Sequence, residues 1–112
     1  MEINIAICDD DKNYINEIIQ YLNNCSWKRN NSFVYHTFYC GEALLESKQY
    51  FDFIILDIEM DKVSGIEVKE IFYNRNNQSR IIFLTNYEEY MSDSFGKNVY
   101  GYISKDVLHK MD

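Results

Sequence analysis

The sequence predicts an α/β fold in which helices cover a five-stranded parallel sheet. Short β-branched runs alternate with segments whose apolar residues recur at helical spacing, a pattern typical of strand-helix-strand units. The 112 residues, 46% hydrophobic and 26% charged, allow one domain with a modest core, residues 1–112. We expect the strands at residues 3–8, 33–38, 53–57, 81–85 and 99–104.

Helical patterns occupy the segments between these strands. The first helix carries apolar residues on one stripe, namely Ile15, Ile18, Ile19 and Leu22. The second is expected over residues 41–48, and the third over residues 64–73, with Ser64 as its cap and an inner face of Val68, Ile71 and Phe72. A fourth stripe consists of Tyr87, Tyr90, Met91, Ser94 and Phe95. Residues 106–112 leave room only for a shortened fifth helix.

Composition excludes several classes of function. Eighteen acidic against eleven basic residues give a net charge of -7, so we expect no direct contact of this domain with nucleic acid or with anionic membrane. No apolar stretch approaches the roughly 20 residues that span a bilayer, and the N-terminus lacks the features of a signal peptide. We therefore expect a cytoplasmic protein with no membrane association. Cys8, Cys25 and Cys40 lack metal-site spacing and are expected to be reduced structural thiols.

Chemically active side chains follow several of the predicted strands. Asp9 and Asp10 come after the first strand, Asp57 ends the third, Thr85 ends the fourth, and Lys105 follows the fifth. Because parallel strands finish on the same side, these side chains should gather in the crevice beyond the carboxyl ends of the strands. The sequence thus predicts one site built from several strand ends.

Three aspartates in one crevice require a compensating cation. Two carboxylates ~4 Å apart repel by about 4 kcal/mol at an effective dielectric near 20. Mg2+ prefers carboxylate and water ligands and completes its shell with phosphate oxygens. Lys105 and the Thr85 hydroxyl are suited to binding phosphoryl oxygens. Asp57 beside a cation is then a nucleophile toward phosphorus that would form an acyl phosphate.

Together, these motifs resemble the receiver domain of bacterial two-component response regulators over essentially the whole chain. The matching segments, in order, are I-C-D-D-D at 7–11, L-D-I-E-M at 56–60, Gly65, L-T at 84–85 and Y-I-S-K at 102–105. The resemblance implies a flavodoxin-like doubly wound sheet with strand order 2-1-3-4-5, helices on both faces and a truncated last helix.

The same resemblance implies roles for individual acids. Asp57 would receive the phosphoryl group from the phosphohistidine of a sensor histidine kinase. Asp10 and Asp57 would ligate Mg2+ directly and Asp9 through a water, while the backbone carbonyl of Glu59 would be the remaining protein ligand. The domain would not be an enzyme in the ordinary sense, since it would only accept and lose its own phosphoryl group.

The resemblance also implies a switch. Thr85 and Lys105 would sense the phosphoryl group, and Tyr102, three residues before the lysine, would be the aromatic residue that follows Thr85 inward. The segments at 85–91 and 101–105 resemble receivers that precede a LytTR-type DNA-binding domain. This implies a DNA-binding output domain in a longer parent protein, absent from this chain, and transcriptional regulation. The resemblance leaves undecided whether the domain forms a homodimer on phosphorylation.

Other interpretations compete with this one. Asp9–Asp11 are also typical of caps and first-turn acids of a helix. An electron carrier of flavodoxin type is disfavoured because these acids would repel a flavin phosphate. An aspartate-nucleophile phosphohydrolase would use Glu59 as its second carboxylate. A metal-independent pseudo-receiver acting only as a protein-binding module also stays open, since Asn86 and Asp106 stand where the family usually has a small residue and proline.

Overall fold

Five parallel strands form one sheet in the computed structural model, which describes residues 1–25, 30–85 and 98–105. The strands are β1 (Glu2–Cys8), β2 (Ser32–Phe38), β3 (Phe53–Leu56), β4 (Arg80–Thr85) and β5 (Val99–Ser104). Their order, β2-β1-β3-β4-β5, confirms the predicted topology. The strand bounds differ from the predicted ones by a residue at four ends, most notably at Asp57, which lies just beyond β3.

Three helices connect these strands within the described residues. They are α1 (Lys12–Asn23), α2 (Gly41–Glu46) and α3 (Gly65–Asn74). The second helix ends two residues earlier than predicted, because Ser47 adopts extended backbone angles. The predicted fourth helix and the shortened fifth lie outside the described residues. Where the structure describes the chain, no helix combines the length and the hydropathy that crossing a bilayer requires.

The two faces of the sheet bury separate apolar clusters. On one face, Ile3, Ile5 and Ile7 of β1 pack with Ile15 and Ile18 of α1. On the other face, alternate residues of the central strands pack with α2 and α3, including Ala6, Cys8, Ile54, Leu56, Phe83, Leu44, Val68 and Phe72. This alternation follows from the two-residue period of a strand. The helices described here therefore cover both faces, as predicted.

The helix starts follow from side-chain capping. Ser64 Oγ accepts a hydrogen bond from the backbone N–H of Glu67 at 3.2 Å, which confirms the predicted cap of α3. Val68 and Phe72 are buried, whereas Ile71, the third predicted member of the inner face, is partly exposed. At α1, Asp11 accepts from the N–H of Asn13 at 2.9 Å. Both caps begin their helices close to the carboxyl edge of the sheet.

Replacing a core residue of β3 should cost much more stability than replacing an exposed residue of β5. Leu56 is fully buried between the sheet and its helices, so Leu56→Ala should lower the free energy of unfolding by about 2–5 kcal/mol. Ile103 is 40% exposed, and Ile103→Ala should cost about 1 kcal/mol or less. Urea unfolding followed by circular dichroism measures both. Equal losses would contradict the assignment of the core.

Candidate functional site

The site lies where β1 and β3 end side by side. The backbone N–H of Asp57 donates to the carbonyl of Cys8 at 3.0 Å, and the N–H of Asp9 donates to the carbonyl of Phe38 at 3.1 Å. These bonds continue the parallel ladder one residue past the strands. The carboxylates of Asp9 and Asp57 are therefore positioned by the sheet itself, and both residues are at least 95% buried.

Lys105 binds both of these buried carboxylates. Its Nζ lies 2.8 Å from Asp9 Oδ2 and 3.3 Å from Asp57 Oδ2, and the residue is buried at the end of β5. The same Nζ lies 4.1 Å from the centroid of the Tyr14 ring, a favourable placement for a cation over an aromatic face. The ammonium group is thus held between two acids and a ring.

The acidic group has the composition of a divalent-cation site. Asp9, Asp10 and Asp57 each offer an oxygen atom, and these oxygen atoms lie within 4.8 Å of one another. Lys105 compensates one of the three negative charges, which leaves two. An open pocket of about 410 Å³ reaches Asp10, Asp57 and Lys105 from solvent. Carboxylate oxygens with an excess of two negative charges and solvent access fit a hard divalent ion such as Mg2+.

The protonation behaviour of the site reflects crowding of charge. Burial, followed by the neighbouring charge of Asp9, raises the pKa of Asp57 to about 6, although Lys105 acts in the opposite direction. Burial and the charge of Asp9 also raise the pKa of Asp10. Burial lowers the pKa of Lys105, but its two carboxylate partners outweigh burial and the net pKa is raised. Without a further cation, the ionised aspartates are electrostatically unfavourable.

Gly65 allows the first turn of α3 to lie against the backbone that follows Asp57. Its N–H donates to the carbonyl of Ile58 at 2.7 Å. A Cβ at this position would lie 2.3 Å from the carbonyl oxygen of Asp57 and 2.9 Å from Cα of Ile58. No side chain fits such a gap without a backbone shift. The loop that presents Asp57 is therefore fixed by a position that requires glycine.

The structure brings together four of the residues expected at the site, namely Asp9, Asp10, Asp57 and Lys105. Glu59 lines the same pocket, and its backbone N–H lies 3.4 Å from Asp57 Oδ1. The capping interpretation of the acidic run holds for Asp11 alone, because Asp11 caps α1 while Asp9 is buried against the lysine. The short acidic run thus both caps a helix, through Asp11, and supplies carboxylates to the site, through Asp9 and Asp10.

The two switch residues lie on neighbouring strands. Thr85 ends β4 opposite Ser104, and its side chain lies outside the described part of the chain. Tyr102 lies opposite Phe83, is half-buried and packs against the core on the α2 and α3 face. Sequence reasoning missed Tyr14, whose ring faces the ammonium of Lys105. The only signal in the sequence was its place in the first turn of α1, five residues after Asp9. That position alone does not distinguish Tyr14 from an ordinary packing residue.

Comparison with known proteins gives a consistent result. The family model for the response regulator receiver domain matches residues 5–111. The transcriptional regulatory protein MctR of Rhizobium johnstonii is 41% identical over 56 residues, which are 48% of this chain and 26% of that protein. An uncharacterized response regulatory protein of Yersinia pestis is 30% identical over 59 residues, 53% of this chain and 24% of that protein. The chain thus spans about a quarter of the length of these curated relatives.

Solved structures resemble the chain along almost its whole length. The BeF3-activated receiver domain of DrrB from Thermotoga maritima has a TM-score of 0.77 at 24% identity, covering 99% of this chain and 95% of that one. The response regulator TrrA of the same organism, in complex with Mg2+ and BeF, has a TM-score of 0.75 at 26% identity, covering 97% and 96%. Both likenesses agree with the sheet order and the layers described above.

Gly65→Ala should destabilise the protein by about 2 kcal/mol or more, because the added methyl group meets the Asp57 carbonyl. Gly101→Ala is the matched control, since a Cβ there meets only Ile82 Cγ2 at 3.9 Å. Thermal unfolding in the presence of a chelator measures both substitutions. A loss at Gly101 as large as that at Gly65 would contradict the proposed close approach.

Asp57→Asn should stabilise the metal-free protein at neutral pH. The folded pKa of about 6 lies above the unfolded value of 3.8, so ionisation begins to cost stability as the pH rises past 3.8, and the cost is complete above the folded pKa. The gain should reach about 1–3 kcal/mol near pH 7.5, shrink as the pH falls through 6 and vanish near pH 4. Chelator-treated protein is unfolded by urea across this range, with the exposed Asp61→Asn as the control. A gain independent of pH would refute the electrostatic cause.

Proposed function

Since this chain belongs to the response regulator receiver domain family, we propose that it is the phosphoacceptor of a two-component pathway, with Asp57 receiving the phosphoryl group from the phosphohistidine of a sensor histidine kinase. The observation that carries this proposal is the contact of Lys105 with both Asp9 and Asp57 at the mouth of a solvent-accessible pocket. Among these three side chains, Asp57 alone is both a carboxylate and a lining residue of the pocket.

The transfer reaction uses the arrangement of side chains already present. A carboxylate oxygen of Asp57 attacks the phosphorus atom, a bond from oxygen to phosphorus forms, and the bond from phosphorus to the imidazole nitrogen of the donor breaks. The imidazole leaves with the electron pair. Lys105, at 3.3 Å from Asp57 Oδ2, is placed to pair with an oxygen of the transferred group. The domain modifies its own side chain. Water later hydrolyses the acyl phosphate, and phosphate is the only product released.

Asp10 and Asp57 would hold Mg2+ directly, Asp9 through a water, and Glu59 through its backbone carbonyl. The bound ion supplies positive charge that neutralises both the acids and the phosphoryl oxygens. The oxygen-rich cluster and its two uncompensated negative charges support this assignment. Further support comes from TrrA, 26% identical to this chain, which was solved in complex with Mg2+ and a beryllium fluoride group.

The phosphoryl group would be read out through Thr85 and Tyr102. The Thr85 hydroxyl binds a phosphoryl oxygen, and Tyr102 follows into the space left beside β4. Tyr102 is half-buried opposite Phe83 on the strand beside β4, a position from which its ring could move toward Thr85. Movement on the β5 side then alters the surface offered to a partner, whether an output domain or a second phosphorylated copy of this chain.

The output of the pathway is proposed to be transcription. MctR is a transcriptional regulatory protein, and the matched segment is 26% of its length, which leaves room for a further domain there. We infer that this chain works with a DNA-binding output domain in a longer parent protein. The resemblance of residues 85–91 and 101–105 to receivers that precede a LytTR-type domain supports an output domain of that type.

One labelling experiment tests the proposal. Incubation with acetyl phosphate and Mg2+ should add the mass of a single phosphoryl group to the intact protein, and the adduct should be labile to hydroxylamine as an acyl phosphate is. Asp57→Asn should abolish the adduct. Asp61→Asn, which removes an exposed acid at the rim of the same pocket, should keep it.

The same experiment separates the competing functions. A phosphohydrolase would release phosphate without a lasting adduct, and a pseudo-receiver would do neither. Chelation of Mg2+ should prevent labelling, and Lys105→Ala should lower its rate about tenfold or more, since a charge-assisted contact to the phosphoryl group is lost. Labelling of Asp57→Asn at the wild-type level would refute the proposal.

A further inference from the structure

A second cavity lies at the opposite end of the sheet from Asp57. It has a volume of about 350 Å³, is open to solvent, and is lined by the end of α3 and the starts of β4 and β5. Its lining consists of two phenols, four carboxamides and one guanidinium, contributed by Tyr73, Asn76, Asn77, Gln78, Arg80, Asn98 and Tyr100. We call it the amide pocket. Among the described residues, it shares none with the acidic site, and none of those lining it is a carboxylate.

Arg80 of the amide pocket is held between two aromatic rings. Its guanidinium carbon lies 5.6 Å from the centroid of Phe53, its neighbour in register on β3, and 5.5 Å from the centroid of Tyr100. Among the residues described, no carboxylate forms an ion pair with Arg80. Arg80 is exposed, so its guanidinium is accessible to a ligand, and its planar fork matches carboxylate and phosphate groups.

A bulge in β5 brings the ring of Tyr100 next to Arg80. Ile81 pairs with Val99 and Ile82 pairs with Gly101, so Tyr100 is the extra residue of the strand. A bulge changes the direction of the side chain it inserts. Tyr100 remains 66% exposed although its ring stacks on Arg80, so one face of the pocket is a solvent-accessible aromatic surface. Tyr73, at the end of α3, supplies a second exposed ring.

The pocket also holds a buried donor. Asn98 Nδ2 is inaccessible to solvent and has no hydrogen-bond partner within the described residues, while the carbonyl of Asn98 is fixed by the N–H of Ile81 at 2.9 Å. The last carbonyls of α3 are already used, since those of Ile71, Phe72 and Tyr73 accept from the backbone of residues 75–77. These three carbonyls are therefore not free to compete with a ligand for the donors of the cavity.

We propose that the amide pocket binds a small organic oxyanion that carries a planar ring. The carboxylate or phosphate group of the ligand pairs with the fork of Arg80, and its ring lies against Tyr73 or Tyr100. The carboxamides of the pocket bind the polar edge of that ring. The cavity volume matches a ligand of mononucleotide size. The domain would thus sense a metabolite at one end and a phosphoryl group at the other.

The proposal is tested by titrating the full chain, in chelator, with three probes: a nucleoside 5′-monophosphate, benzoate and inorganic phosphate. Isothermal calorimetry and amide chemical shifts should show a dissociation constant of about 1 mM or below for one of the two organic probes. The better organic probe identifies the oxyanion as phosphate or carboxylate. Inorganic phosphate should bind about tenfold more weakly, because it lacks the ring.

Two arginine variants give a matched pair. Arg80→Lys keeps the charge but removes the fork, and it should weaken binding about tenfold or more. Arg75→Lys changes the same atoms at an arginine that lies outside the pocket, where its side chain donates to the carbonyl of Leu45, and binding should stay within about twofold. Tyr100→Leu should weaken the organic probe while leaving inorganic phosphate unchanged.

Each outcome bears on the pocket independently of the phosphoacceptor function. Labelling by acetyl phosphate and Mg2+ should be intact in all three variants, which shows that they are folded and separates failure here from failure at Asp57. Absence of binding by both organic probes up to about 10 mM would overturn the proposal, as would equal losses in Arg80→Lys and Arg75→Lys.

Discussion

The contact of one lysine with two buried aspartates is the interaction on which the rest of this molecule depends. Asp9 and Asp57 are placed side by side by the ladder of the parallel sheet, and the repulsion between them is only partly offset by Lys105. Two such charges at close range cost about 4 kcal/mol where the effective dielectric is near 20. The remaining repulsion therefore favours the binding of a further cation at the carboxyl edge of the sheet.

The surrounding packing restricts the backbone and the lysine around these charges. Gly65 lets α3 begin directly against the Asp57 carbonyl, which holds the backbone from which this carboxylate extends. Tyr14 closes the other side by placing its ring over the Lys105 ammonium. Burial and the charge of Asp9 raise the pKa of Asp57, so a cation beside it would favour the ionised carboxylate. The ionisation of Asp57 thus depends on the charges beside it.

The sequence was most informative where local pattern and global fold agree. The strands were predicted to within a residue because short β-branched runs bury alternate residues on both faces, and Asp9, Asp57 and Lys105 follow such runs. What could not be predicted depends on contacts distant along the chain. Tyr14 meets a lysine near the other end of the described chain, and the extra residue in β5 becomes visible only once its register with β4 is known. The roles of Thr85, Glu59 and Tyr102 rest on the family resemblance and stay predictions.

The two ends of the sheet differ in electrostatic character for a topological reason. At the carboxyl end, strand ends deliver acids, and the nearest helix start is capped by another acid, Asp11. At the amino end, the close of α3 and the bulge of β5 bring amides, phenols and a stacked arginine around a cavity whose described lining contains no carboxylate. β4 joins both, since it begins at Arg80 and ends at Thr85. A ligand that orders the start of β4 would therefore act on the same strand whose end carries Thr85, the proposed phosphate-sensing residue, and this strand is the physical route by which the two sites would be linked.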